Sequence, residues 1–216
     1  ADGALAMLNI TNVSNTNSAA IVGSGSVTIS NVDTLNNSNS AVIQSEHALS
    51  INNVGTLNNS TDAALLASGN MTLDGVNTLN NASVILSDGS ITVQNGDTLH
   101  NNGVVQAGTD LIIRNIRSLM NDGSDHVLMA LRNLTIEDVD SLTNSSQAVI
   151  TAMERLPIPA AIRPPSRMWR SASRSRIFVV SALVAPPSAP QAARITAVEA
   201  ASSRNTAATK LPVSFI

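Results

Sequence analysis

Apolar residues through the first two thirds of the chain fall into one repeated phrase. In Val27-Thr28-Ile29-Ser30-Asn31-Val32-Asp33-Thr34-Leu35-Asn36-Asn37 they stand at Val27, Ile29, Val32 and Leu35, and Asn37 closes the phrase. It returns 22 residues later as Leu49, Ile51, Val54, Leu57 and Asn59, then as Met71, Leu73, Val76, Leu79 and Asn81. Two steps of 20 give Ile91, Val93, Gly96, Leu99, Asn101 and then Leu111, Ile113, Ile116, Leu119, Asn121. A step of 23 gives Leu134, Ile136, Val139, Leu142 and Asn144, and an earlier copy runs through Leu5, Met7, Ile10, Val13 and Asn15. A period of this size is the mark of a stacked-repeat architecture.

Each repeat carries a second apolar centre: Ile21, Ile43, Leu65, Ile85, Val105, Leu128 and Ile150. Two residues on stands a small residue (Gly23, Ser45, Ala67, Ser87, Ala107, Ala130, Ala152), and a turn rich in Gly or Asp follows. Val-x-Ile is strand periodicity, and Val, Ile and Thr suit a pleated surface. Helix is disfavoured by the density of Asn, Ser, Thr and Gly, which compete with the helical backbone. Leucine-rich repeats have a similar period, but they need a Leu-x-x-Leu-x-Leu order and usually a helical return segment. Two strand-like segments per repeat favour a β-solenoid instead.

Energetics explain why such repeats must stack. About five inward aliphatic side chains per coil contribute roughly 1.5–3 kcal/mol each. Ordering a coil costs roughly 1–2 kcal/mol for every residue fixed. A lone coil therefore cannot fold, whereas piled coils bury one another and join in parallel ladders about 4.8 Å apart. Seven coils would form a rod on the order of 34 Å long. Stacking like on like predicts a core column of Leu35, Leu57, Leu79, Leu99, Leu119 and Leu142. It also predicts an internal amide ladder of Asn15, Asn37, Asn59, Asn81, Asn101, Asn121 and Asn144, each amide donating to one neighbour and accepting from the other. Gly96 interrupts the Val32 column, where a gap or bend is expected.

Composition divides the chain. Residues 1–154 hold 14 of the 15 acidic groups and 3 of the 12 basic ones, so the net charge of −3 hides −11 against +8. All 11 Gly precede residue 124, and all 8 Pro follow residue 156, as do the aromatics Trp169, Phe178 and Phe215. The expected organisation is a repeat body over residues 1–158 and an Arg-, Pro-, Ala- and Ser-rich tail over 159–216. Leu156 and Ile158 form the last clean rung, and Pro164-Pro165 then bars a central ladder. The abrupt change favours an out-of-frame translation of further repeats over a natural linker or extension, and disorder is the expected state. The chain begins with Ala and reads as a fragment or processed piece. It has no Cys, hence no disulfide framework or thiolate chemistry.

Candidate chemistry is sparse. His47, His100 and His126 occupy different repeat columns and cannot converge on one ion as a zinc site demands. Asp33, Asp97 and Asp140 share a column, which raises carbohydrate-active or calcium-binding chemistry. Gly55, Asn77 and Arg117 stand between them, however, and paired acid–base work needs neighbouring carboxylates. No phosphate loop, nucleophile elbow or calcium-roll motif is present. Arg163, Arg167, Arg170, Arg174 and Arg176 surround Trp169, but such a charge run usually marks solvated chain, and no nucleic acid is expected as a partner. Asn-x-Ser/Thr triplets at Asn9, Asn12, Asn36, Asn58, Asn70 and Asn133 arise readily in a chain of this composition. No catalytic residue, metal or cofactor is expected.

The phrase Gly-x-Leu-x-Ile-x-x-Val-x-x-Leu-x-Asn followed by Ala-x-Ile-x-Ala-x-Gly resembles filamentous haemagglutinin-type repeats. These occur in large exoproteins of Gram-negative two-partner secretion, among them adhesins and contact-dependent inhibition proteins. The resemblance covers roughly residues 1–158 and rests on many coherent copies. It implies a right-handed parallel β-helix of about seven coils, export through an outer-membrane partner barrel, and a secreted or cell-surface setting. Lack of Cys fits passage of an unfolded chain through a narrow pore. The implied role is a non-enzymatic shaft that holds distal regions away from the cell, with host or neighbouring-cell receptors as possible partners. The alternatives are a carbohydrate-active β-helix enzyme and the stalk of a contact-inhibition toxin carrier.

Overall fold

A computed structural model describes residues 3–60 and 62–153, so the boundary expected at residue 158 and everything expected of the tail lie outside the described residues. Each coil is built from one long and one short strand. The long strands are β1 (Leu5–Thr16), β3 (Val27–Ser38), β5 (Leu49–Asn59), β7 (Met71–Asn81), β9 (Ile91–Asn101), β11 (Leu111–Asp122) and β13 (Leu134–Ser145). The short ones are β2 (Ala20–Gly23), β4 (Val42–Ser45), β6 (Ala64–Ala67), β8 (Val84–Ser87), β10 (Val104–Ala107), β12 (Val127–Ala130) and β14 (Val149–Ala152). Long strands pair only with long and short only with short, in two parallel seven-stranded sheets that follow chain order. The fold is an all-β parallel solenoid with no helix among the described residues.

Register follows the apolar phrase. Val13, Leu35, Leu57, Leu79, Leu99, Leu119 and Leu142 pair in succession along the long-strand sheet. Ile21 through Ile150 do the same in the other sheet. Leu35, Leu57 and Leu119 are fully buried, and one continuous aliphatic core runs through the stack. A slip of one residue would turn every inward side chain to solvent, so the pattern holds the register firmly.

The long strands are not straight. Inward positions fall at 49, 51, 54, 57 and 59 in β5, so strict alternation is broken twice. The first break has a clear cause, a column of residues at positive φ: Asn9, Asn31, Asn53, Gly75, Asn95, Asn115 and Asp138. Asn, Gly and Asp tolerate the left-handed region better than other residues, and one such residue per coil turns the strand.

Repeat length varies at one corner only. The corner after each short strand always has three residues, as in 24–26 and 131–133. The other corner shrinks to 82–83 and 102–103 in the 20-residue repeats and lengthens to 123–126 in the 23-residue one. Insertions and deletions thus fall outside the stacked columns.

At Gly96 the outcome differs in part from expectation. Pairing between β7 and β9 is recorded on either side of Val76 and Gly96 but not between them, which is the expected local irregularity. The space itself is occupied: a Cβ on Gly96 would collide with the Val76 carbonyl oxygen and lie 3.2 Å from Ile116 Cδ1. The backbone closes in where the side chain is missing.

Candidate functional site

The most ordered polar feature is the amide column inside the corner after each long strand. Asn15 Nδ2 donates to Asn37 Oδ1 at 2.8 Å, Asn37 to Asn59 at 2.9 Å and Asn59 to Asn81 at 2.8 Å. The chain of bonds continues from Asn81 to Asn101 at 2.8 Å, from Asn101 to Asn121 at 2.7 Å and from Asn121 to Asn144 at 2.8 Å. The second amide hydrogen is used as well: Asn15, Asn37 and Asn59 donate to the carbonyls of Val42, Ala64 and Val84 at 2.9, 3.0 and 2.9 Å. The first six amides thus tie their own coil to the short strand of the next, while Asn144 at the end of the stack donates to Ala148 of its own coil. Buried amides without partners would cost about 1–3 kcal/mol apiece, so the ladder satisfies a core that otherwise has few polar groups.

A second ladder, on the outside, is not apparent from the apolar pattern. Asn31 donates to Asn9 at 2.8 Å, Asn53 to Asn31 at 3.2 Å, Asn95 to Asp74 at 2.7 Å and Asn115 to Asn95 at 2.7 Å. All but Asp74 are positive-φ residues of the strand bends. A third short ladder runs from Asn80 to Asn58 to Asn36. Both outer ladders donate toward lower-numbered coils, whereas the inner one donates toward higher-numbered coils.

The carboxylates of the shared column stay apart. Asp97 is engaged by Arg117 of the following coil, with Nε–Oδ1 and Nη2–Oδ2 both at 2.6 Å. Asp33 and Asp140 are exposed on other coils. Elsewhere Asp110 accepts from Arg132 Nε at 2.9 Å and Asn133 Nδ2 at 2.7 Å, and hydrogen bonding from the Arg132 guanidinium holds it below the usual carboxylate range. Hydrogen bonds from the Ser146 and then the Ser145 hydroxyl lower Asp122 in the same way. Asp110 and Asp122 are thereby held in their ionised form, which suits surface bracing and not proton transfer near neutrality.

The three histidines lie apart. His47 and His126 stand at opposite corners of the coil, where Nδ1 of each meets a carbonyl, of Ser24 and of Asp122 respectively; His100 stands on the outer face of β9. Among the described residues no three His, Asp or Glu side chains gather as a metal would require. A shallow depression of about 170 Å³ lies between Gln44, Leu66, Leu86 and Asp88, and Asp88 is its sole carboxylate.

Neither protein-family models, curated proteins nor solved structures match this chain. The chemistry must therefore be read from the surface itself. It offers ladders, single ion pairs and two sheet faces of opposite character: the long-strand sheet presents Thr, Ser, Asn and charged groups outward, while the short-strand sheet presents mainly Ala, Val and Leu. That outer face was not evident in the sequence, because short runs such as Ala64–Ala67, Val84-Ile85-Leu86 and Val127–Ala130 do not show which side faces water.

Proposed function

We propose that this chain is a length of non-enzymatic shaft from a large exoprotein of the filamentous haemagglutinin type, secreted by or displayed on a Gram-negative bacterium. One observation carries the reading: seven coils hold the same residues in register through two sheets, and every difference in repeat length is put into a single corner. Such uniformity suits a mechanical part. Bending the rod would part aliphatic columns and stretch amide ladders on one side, so coil stacking resists deflection cooperatively. A distal adhesive or toxin region would then be held at a fixed distance from the cell. Export would use an outer-membrane transporter barrel acting on another region of the parent, and receptors on host or neighbouring cells would be met by the shaft or by what it carries. An enzymatic reading finds little support, since catalytic carboxylates must approach to roughly 5–10 Å and Asp97 is already paired with Arg117.

Stiffness, location and chemistry can be tested together. The chain has no Cys, so spin labels on Asp33→Cys and Asp140→Cys report a single distance. Five coil steps separate them, and a narrow distribution near ~24 Å is expected; a broad one would reject the spacer. Protease added to intact source cells should remove the protein, and full protection until lysis would reject an extracellular shaft. Release of reducing ends from polysaccharides by the full chain would instead establish the enzymatic reading.

A further inference from the structure

The seven short strands contain no charged residue at all. Their inward side chains fill the core, but alternate residues point out and form two columns. One is Ala or Val in every coil from Ala20 to Val149. The other runs Val22, Gln44, Leu66, Leu86, Gln106 and Met129, mostly longer side chains, and ends at the buried Thr151. Three of the four exposed large apolar side chains among the described residues lie on this face: Val22 at 54%, Val84 at 36% and Val149 at 37%.

Seven strands about 4.8 Å apart and four residues of about 3.3 Å each give a face of roughly 440 Å². Apart from Gln44, Gln106 and Thr151 its outward positions are apolar, which leaves an apolar patch of a few hundred Å², the size of the largest patch on a typical monomer and often an interaction site. We propose that this face is a lateral interface with a second copy of this chain, the two rods lying parallel about a twofold axis along the coil stack.

Relief, pitch and area select that occupant. The face has a low column beside a tall one. A twofold axis along the stack turns the partner so that its low column meets the tall column, coil for coil, with Leu86 of one copy over Val84 of the other. An axis along the strands would set tall against tall and hold the sheets apart. A second copy also repeats the same coil spacing, so ridges and hollows stay in phase over the full length. The strands themselves carry no charge and Asp88 stands only at the rim, which leaves a strongly charged partner little to pair with. Two such faces bury roughly 900 Å² in total, above most crystal contacts but in the weak class of specific interfaces. Affinity is therefore low for seven coils and grows with coil number. The inference is independent of where the protein works.

The test uses the full chain. Sedimentation equilibrium up to about 1 mM should show a monomer–dimer equilibrium with Kd on the order of 0.1 mM. The double variant Leu66→Lys/Leu86→Lys should weaken it at least about tenfold, whereas Thr28→Lys/Thr72→Lys on the other sheet should leave it unchanged. Mixing Val84→Cys chains with Leu86→Cys chains should give disulfide-linked dimers faster than either alone. If the lysine variant loses its β-sheet circular dichroism, Leu66→Gln/Leu86→Gln serves instead, since Gln44 and Gln106 already occupy that column. A wild-type monomer at every concentration overturns the proposal, and a face covered by residues 154–216 or by an unrelated partner would give that result. Dimerisation that persists in the charged or Gln variant also overturns it, by moving the contact to the ends of the stack.

Discussion

Asn59 illustrates what a single residue must do inside this rod. It has no exposed surface, accepts from Asn37, and donates to Asn81 and to the Val84 carbonyl. Asn is the shortest side chain with two donor hydrogens and an acceptor, which is what the position consumes. Asn59→Ala should therefore cost about 2–4 kcal/mol in urea denaturation, because the hydrogen bonds are lost and their partners stay enclosed. Asn59→Asp separates shape from chemistry. The carboxylate still accepts from Asn37 but faces the Asn81 amide oxygen and the Val84 carbonyl, so burial and neighbouring acceptors raise its folded pKa. A raised folded pKa means that the protonated form is favoured and stability falls as pH rises through that value. The deficit of Asn59→Asp relative to wild type should widen between about pH 3 and pH 7. A pH-independent deficit would show that the amide is not acting as a donor. Asp110 has the opposite sign: its pKa is lowered, so its contribution is present above the ordinary carboxylate range and fades as pH falls through the lowered value.

At the scale of the element, the long strand depends on its bend as much as on its alternation. Six of the seven positive-φ bend positions carry Asn or Asp, and Gly75 is the exception, at φ 66°. It also interrupts the outer ladder, since Asn95 bonds to Asp74 and not to a residue at the bend below it. A Cβ at position 75 would meet only the Asn53 amide oxygen closely, at 2.9 Å, and that is the movable end of a side chain. Gly75→Asn should thus leave stability unchanged or raise it by up to about 1 kcal/mol, while Gly75→Ala should lose about 1 kcal/mol to left-handed strain. Equal losses in thermal melts would show that the ladder adds nothing there. The same element marks the limit of sequence reading. Val27, Ile29, Val32, Leu35 and Asn37 stand out because apolar residues are spaced against a polar background, and from them the coil and its register follow. Asn31 does not stand out: one more Asn in an Asn-rich segment looks like its neighbours, although within β3 only it reverses the sign of φ. Val84 and Leu86 were hidden for the opposite reason, since an unbroken apolar run does not say which side faces water.

For the whole molecule, stacking implies that a coil is a removable unit and half a coil is not. Deleting residues 49–70 joins Ala48 to Met71. Because Asn70 holds the place in its coil that Ala48 holds one coil earlier, each side chain after the junction keeps its column. Strand β3 then meets β7 with Leu35 beside Leu79, and Asn37 can donate to Asn81 as it now donates to Asn59. Removing residues 49–59 alone discards a long strand but keeps its short partner β6, leaving one sheet with a missing rung and the other intact. The two sheets would then differ by one coil step, about 4.8 Å, across every corner beyond the cut. In nearest-neighbour terms the first deletion removes one coil and one interface, and the second breaks the interfaces on both sides. The 49–70 deletion should keep its β-sheet spectrum and cooperative melt, and shorten the distance between labels on Asp33→Cys and Asp140→Cys from ~24 to ~19 Å. The 49–59 deletion, although half the size, should lose cooperativity. If the shorter deletion were tolerated and the longer one not, the columns would not be what holds the rod together, because only the longer cut preserves them.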